Sequence, residues 1–278
     1  MKSHSQTVTV WLKEAVSRLE QSGIITSRLD ALVLLEDVSG KERSWLLANP
    51  EIVLTDSELT KLNGFIERRL LHEPLAYIRN KSEFYGRDFF VDERVLEPRP
   101  ESETIIDMLV GLAGPSQPVI IDIGTGSGAL AITAKLELPN AEVLATDIDN
   151  NCLAVAHQNT QIHNVNIPLY QGSLLQALPN QLLSFKNLIL LCNLPYVPDK
   201  FQLNQAALNE PRLAIFGGPD GLGIYRKLFK QCTDLKIVPA YVLTESMPPQ
   251  HKQLTDIAKA GGFRLLKIDD FVQLFATV

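Results

Sequence analysis

The chain has 278 residues, a formal net charge of −6, 45% hydrophobic and 21% charged residues, which suits roughly two globular domains and excludes both a mini-domain and a disordered chain. No stretch approaches the roughly 20 apolar residues of a membrane helix, and Met1 to Val10 lacks the apolar run of a secretion signal, so the protein is expected in the cytoplasm. Cys152, Cys192 and Cys232 lie far apart and the five histidines form no H-x-x-x-H, so neither a disulfide framework nor a metal site is expected.

Residues 1–75 read as a helical domain. Val10, Leu12, Ala15, Val16 and Leu19 recur at helical spacing, and Leu29, Leu32, Val33 and Leu35 do so again after Ser27, a candidate N-cap. Thr55-Asp-Ser-Glu58 has the form of a capping box ahead of Leu59, Leu62, Phe65, Ile66 and Leu70. Residues 76–100 turn aromatic and β-branched, which predicts a β-hairpin linker with Gly86-Arg-Asp88 near its turn. From 101 to 278 short apolar runs alternate with helical stretches. Strands are predicted at 119–123, 142–146, 167–171, 188–192 and 240–244, and helices near 128–138, 150–163, 222–235 and 250–260. Strands separated by helices imply right-handed crossovers and an α/β doubly wound, mostly parallel sheet.

Between Gly111 and Pro211 three lysines face seven acidic residues, a net −4. A protein that follows a phosphate backbone gathers Lys and Arg instead, so direct nucleic-acid binding is not expected.

The strongest local feature is Asp122-Ile-Gly-Thr-Gly-Ser-Gly-Ala129, which follows the first parallel strand and opens a helix. Gly124, Gly126 and Gly128 permit a tight turn and close approach of a ligand to the backbone, with Thr125 between them. Asp147, at the end of the next strand with Ile148 beside it, is placed to accept two hydrogen bonds from the vicinal hydroxyls of a ribose. Dinucleotide folds use G-x-G-x-x-G, whereas here the glycines alternate strictly and an acid precedes them. A carboxylate at position 122 would repel a diphosphate and suits the ammonium and sulfonium of S-adenosylmethionine. A glycine turn with no ligand is the competing reading.

At the end of the fourth of these strands stands Asn193-Leu-Pro-Tyr196. Ligands of open α/β sheets bind beyond the carboxyl ends of strands, so this tetrapeptide and the glycine loop are expected to share a crevice; a turn with a packing tyrosine is the alternative. The residue types suit methyl transfer to a planar nitrogen, whose lone pair is delocalised. Asn193 Oδ1 and the Leu194 carbonyl can accept its N–H bonds, and those bonds strengthen as charge develops. Pro195 stiffens the turn, and Tyr196 can stack on the flat group.

At these motifs, and at Glu97-Pro-Arg-Pro-Glu-Ser-Glu103, Glu73-Pro-Leu-Ala-Tyr-Ile78, Glu83-Phe-Tyr-Gly-Arg-Asp-Phe89, Glu210-Pro-Arg-Leu-Ala-Ile-Phe-Gly-Gly218 and Asp220-Gly-Leu-Gly-Ile-Tyr-Arg226, the chain resembles the HemK/PrmC family over nearly its whole length. The resemblance implies a helical N-terminal domain that grips a peptide-chain release factor and a class I, Rossmann-like methyltransferase domain of seven strands. It further implies transfer of a methyl group from S-adenosylmethionine, released as S-adenosylhomocysteine, to the side-chain amide nitrogen of the glutamine in a Gly-Gly-Gln motif. By the same resemblance, Asp122, Gly124, Thr125, Gly126, Gly128, Asp147, Ile148, Ser173, Asn193, Arg99 and Pro100 form the cofactor site. Asn193, Leu194, Pro195 and Tyr196 are catalytic, and Phe84, Phe89, Arg99, Glu101 and Tyr196 form the substrate pocket. Core packing is the competing role for Phe84 and Phe89, an ion pair between domains for Arg99, and bracing of the loop after Tyr196 for Glu210 and Arg212.

The chain departs from the family at Leu194, where a proline is usual, at Ser173 for an aspartate, at Asn80 for a glycine, and at Thr244-Glu-Ser-Met247, where Glu-x-Gly is usual. Asp269 to Val278 lacks the usual glycine and arginine. Asn-Leu-Pro-Tyr also resembles the motif of the rRNA adenine dimethyltransferases, so the alternative function is methylation of another protein amide or of the exocyclic amine of adenine in nucleic acid. A binding protein that has lost catalysis is the third reading.

Overall fold

The apolar periodicity of the first 80 residues is realised as five helices in the computed structural model, which describes residues 6–112, 118–179, 187–203 and 205–278. They are α1 (Val8–Gln21), α2 (Ser27–Ser39), α3 (Arg43–Ala48), α4 (Asp56–Leu70) and α5 (Leu75–Arg79). Their buried faces bring Trp11, Leu19, Leu34, Leu35, Leu62 and Ile66 into one core. The capping box forms as expected: Thr55 accepts from the Glu58 N–H while Glu58 reaches back to the Thr55 N–H. Ser27 is not the N-cap. Thr26 holds that position without a side-chain cap bond, and Ser27 is the first helical residue, buried. A buried ion pair, Arg69 to Asp30 at 2.7 Å, ties α4 to α2. Residues 6–81 and 205–209 make up one compact unit; residues 82–203 and 210–278 make up the other, so the segment expected as a linker, 76–100, is divided after residue 81.

The second unit begins with a hairpin, β1 (Ser82–Phe84) and β2 (Arg87–Phe89). Pairing of Phe84 with Arg87 leaves Tyr85-Gly86 as a two-residue turn. Both have positive φ, 52° and 68°, the dihedrals that match the twist of paired strands, so the turn falls just ahead of the predicted 86–88.

After α6 (Glu103–Leu112) come β3 (Val119–Ile123), α7 (Ala129–Glu137), β4 (Glu142–Asp147), α8 (Asn150–Ile162), β5 (Leu169–Gln171), β6 (Leu188–Cys192), α9 (Arg212–Ile215), α10 (Gly223–Asp234), β7 (Tyr241–Glu245), α11 (His251–Ala260), β8 (Phe263–Asp269) and β9 (Val272–Thr277). The sheet has seven strands in the order β5-β4-β3-β6-β7-β9-β8, with β9 antiparallel to both its neighbours and the other pairs parallel. Successive residues of a strand point to opposite faces. Ile120, Ile189 and Leu191 therefore enter one core with Phe84 and Ile105, while Ile121, Leu190 and Cys192 enter the other with Tyr225 and Phe229. Every residue of β3 and β6 is buried, which places both strands in the middle of the sheet and their carboxyl ends side by side.

Candidate active site

The chain leaves β3 at Ile123 and turns through Gly124, Gly126 and Gly128, all with positive φ (74°, 54° and 84°). A Cβ at Gly124 would stand 3.0 Å from Leu194 Cδ2, so the missing side chain is what lets the tetrapeptide pack on the loop. At Gly126 the same space is open. The N–H groups of Gly124 and Thr125 donate to the Thr146 carbonyl at 2.8 and 2.9 Å, which fixes the loop against the end of β4. Asn159 on α8 braces it from below, donating to the carbonyls of Ser127 and Phe90.

The two acids of the loop have different places. Asp122 is buried beneath it, where its Oδ2 accepts from Thr125 Oγ1 (2.6 Å) and from the Ala131 N–H (3.2 Å). Burial pushes its pKa up to about 7 against the opposing pull of those bonds. Asp147 accepts from the Gly126 N–H on one oxygen and from the Asp149 N–H on the other, both at 2.9 Å. Each oxygen has a second lone pair for a ligand hydroxyl. Burial raises the pKa of Asp147 as well.

A cleft open to solvent lies above these strand ends. Gly124, Thr125, Gly126, Asp147, Ile148, Ser173, Asn193, Leu194, Pro195 and Phe84 line it. The glycine loop and the first three residues of the tetrapeptide thus share one wall. Its charged lining is Glu97, Asp147 and Asp149 against Arg94 and Lys227, and Asp92 pairs with Arg94. Asp122, Gly128, Tyr196, Arg99, Pro100, Glu101 and Phe89 lie outside the lining. Phe89 packs edge-on against Phe84 and lies 4.5 Å, centroid to centroid, from His163. Arg99 is held by Glu210 at 2.6 Å and faces Glu97 at 3.5 Å. Glu210 thereby ties the segment after Pro211 to the strap that carries Arg99. Arg212 stacks on Phe216.

Several groups at the site were missed by sequence reasoning. Ser102 lines the cleft beside the tetrapeptide and Glu245 lies outside the lining: Asn193 Nδ2 donates to Ser102 Oγ, and the Ser102 and Tyr196 hydroxyls both donate to Glu245. A polar residue at the carboxyl end of a parallel strand was the available signal for Glu245. Tyr225, fully buried on α10, accepts from the Leu194 N–H at 3.3 Å, and its one hydrogen is shared between the carbonyls of Cys192 (2.9 Å) and Glu245 (2.5 Å). Leu194 brings an N–H that a proline would lack, and this hydroxyl receives it. Ser173 accepts from Lys227 Nζ at 2.7 Å.

Residues 10–79 match the PrmC N-terminal domain family, and residues 104–194 match the ribosomal protein L11 methyltransferase (PrmA) family. The chain is 35% identical over 258 residues to the release factor glutamine methyltransferase of Coxiella burnetii, covering 91% of this chain and 92% of that protein. It is 34% identical to the protein of the same name from Deinococcus radiodurans, covering 91% and 90%. Among solved structures, the hMettl16 catalytic domain in complex with MAT2A 3'UTR hairpin 6 superposes with a TM-score of 0.53 at 15% identity, covering 82% of this chain and 84% of that one, a likeness of fold alone.

Proposed function

From the premise that the chain belongs to the release factor glutamine methyltransferase family, we propose that the cleft described above is where the side-chain amide of a release-factor glutamine meets the methyl donor. The protein is an S-adenosylmethionine-dependent methyltransferase acting on the glutamine of the Gly-Gly-Gln motif. The observation that supports this cleft as the site is the shared wall: the glycine loop and Asn193-Leu-Pro195 face one space.

The residues present fit the cofactor. The open backbone at Gly126 accepts close approach, and Asp147 keeps lone pairs for a ribose. With Arg94 paired to Asp92, the lining acids Glu97, Asp147 and Asp149 outweigh Lys227, a balance that favours a ligand with ammonium and sulfonium charges over a diphosphate. When bound, S-adenosylmethionine supplies an electrophilic methyl group on sulfur. Gly124, Gly126, Asp147 and Ile148 would hold it, with the hydrogen-bonded pair Ser173 and Lys227 also lining the cleft.

The chain's own part is to orient and polarise the amide. Asn193 commits its NH2 to Ser102, so Oδ1 is the acceptor offered to one substrate N–H. The Leu194 carbonyl accepts the other. Both bonds gain strength as the nitrogen becomes cationic, so they stabilise the transition state more than the ground state. The methylated nitrogen is then acidic enough to release its proton to water without a strong base. The helical unit is proposed to recognise the release factor. Among the described residues no helix is long and apolar enough to cross a membrane, and we place the enzyme in the cytoplasm with its substrate.

The test is incubation with a release factor and methyl-labelled cofactor. Label that disappears when the Gly-Gly-Gln glutamine is replaced supports the assignment; label that is unchanged overturns it.

A further inference from the structure

The network behind the tetrapeptide has a direction. Ser102, the last residue of the 3-10 turn Pro100–Ser102 before α6, and Glu245, the last residue of β7, are 3% and 1% exposed. Asn193 Nδ2 donates to Ser102 Oγ at 2.8 Å, Ser102 Oγ donates to Glu245 Oε2 at 2.6 Å, and the Tyr196 hydroxyl donates to Glu245 Oε1 at 2.9 Å. Burial raises the pKa of Glu245, yet both of its oxygens accept, one from each hydroxyl, and a serine hydroxyl has a single hydrogen. With that hydrogen given to Glu245, the remaining lone pairs of Ser102 require a donor. Asn193 satisfies them only with its NH2 end. Turned by 180°, it would set Oδ1 against those lone pairs and point its NH2 at the substrate's own N–H groups.

We propose that Glu245 is the positioning residue of the methyl-transfer site: through Ser102 it dictates which end of the Asn193 amide meets the substrate, and through its second oxygen it holds the Tyr196 hydroxyl. This rests on the amide-methylation reading and adds to it how the accepting end of Asn193 is selected. Glu245 lies outside the cleft lining and acts through Asn193 and Tyr196, while Ser102, at the cleft wall, is the link between Glu245 and Asn193.

Glu245→Gln keeps the shape and adds an NH2. That group donates to Ser102, releases the serine hydrogen toward Asn193, and removes the preference between the two amide orientations. Ser102→Ala deletes the link. The experiment compares the full-length wild type, E245Q, S102A and the double variant for methyl transfer to a release factor, with calorimetric affinity for S-adenosylhomocysteine measured alongside. The expected result is a kcat about 10- to 100-fold lower in each single variant, with KM for the release factor and affinity for S-adenosylhomocysteine within about twofold of wild type. The double variant is expected to be no slower than the slower single, because residues acting as one unit are not additive.

An unchanged kcat in E245Q overturns the proposal. So do losses that multiply in the double variant, and so does a loss confined to S-adenosylhomocysteine affinity. If E245Q does not fold, S102A decides by the same split of kcat from KM. Glutamine left unlabelled by the wild type overturns the methylation reading and this proposal with it. Labelling by the wild type with an unaltered rate in the variants overturns this proposal alone.

Discussion

Two side chains show how single atoms at the site decide energetics. The Tyr225 hydroxyl serves the Leu194 N–H and the carbonyls of Cys192 and Glu245 at once, so Tyr225→Phe leaves buried backbone groups unpaired at a cost of about 1–3 kcal/mol. In a Leu194→Pro background one of those groups is gone, and the same substitution is expected to cost less; denaturant unfolding of the four-member cycle measures the difference, and strictly additive costs would refute the clamp. Asp122 carries a different consequence. Its pKa is raised from 3.8 to about 7 by burial, so the folded chain keeps a proton that the unfolded chain releases across that interval. The stability Asp122 contributes is complete below about pH 4, is lost as pH rises to about 7, and changes no further above it. Relative to Asp122→Asn, the wild type is expected to lose up to about 1.4 kcal/mol per pH unit within that window. Urea unfolding at pH 5, 6, 7 and 8 checks the slope and its end.

At the scale of elements, the tetrapeptide after β6 is held by a loop that carries no reacting group. A Cβ at Gly221, where φ is +80°, would stand 1.9 Å from the Tyr196 carbonyl oxygen, and one at Gly217 would stand 2.3 Å from the Pro195 carbonyl oxygen. Gln250 adds hydrogen bonds to the Tyr196 and Asp220 carbonyls. Gly221→Ala must therefore shift the tetrapeptide. It is expected to slow methyl transfer by about 100-fold while lowering S-adenosylhomocysteine affinity far less, because the 124–128 loop keeps its own ties to Thr146 and Asp147; calorimetry beside a rate assay separates the two, and an unchanged rate would refute the close approach. What was legible in sequence follows from the same geometry. The glycine loop and Asp147 declare themselves because each sits at a strand end with its partner nearby in the chain, the Gly126 to Asp147 bond spanning 21 residues, and Asn193 declares itself through the local Asn-Leu-Pro-Tyr pattern at a strand end. Ser102 and Glu245 meet across 143 residues, and no local pattern encodes that meeting. The strands β3, β4, β6 and β7 read correctly to within a residue because burial on both faces makes them continuous apolar runs. β8 escaped the pattern, since it is exposed along most of its length and its apolar residues are interrupted by Arg264 and Lys267, and in β9 the apolar run is broken by the buried Gln273. The N-cap expected at Ser27 failed for a tertiary reason, burial of that side chain within the helical unit.

For the whole molecule, the two units have separate cores. The helical core is built from residues 8–78, and every residue lining the cleft belongs to the second unit. Leu35 has no exposed surface, so Leu35→Ala is expected to destabilise the helical unit by about 2–5 kcal/mol. Cofactor affinity is expected to persist in that variant at temperatures where release-factor methylation has failed. Calorimetry and a labelling assay on the same sample check this, and joint loss of both would argue against separate cores. The sheet order adds a consequence for how the enzyme is assembled. The β3–β4 pair that carries the glycine loop and Asp147 closes a short loop, whereas the Ser102–Glu245 link closes a very long one and sits on a strand whose outer neighbour, β9, must wedge between β7 and β8. Long loops close late. The donor side of the cleft is therefore expected to become ordered before the side that orients Asn193, and refolding followed by pulsed hydrogen exchange checks this: equal rates of protection at Gly126 and Glu245 would refute the order.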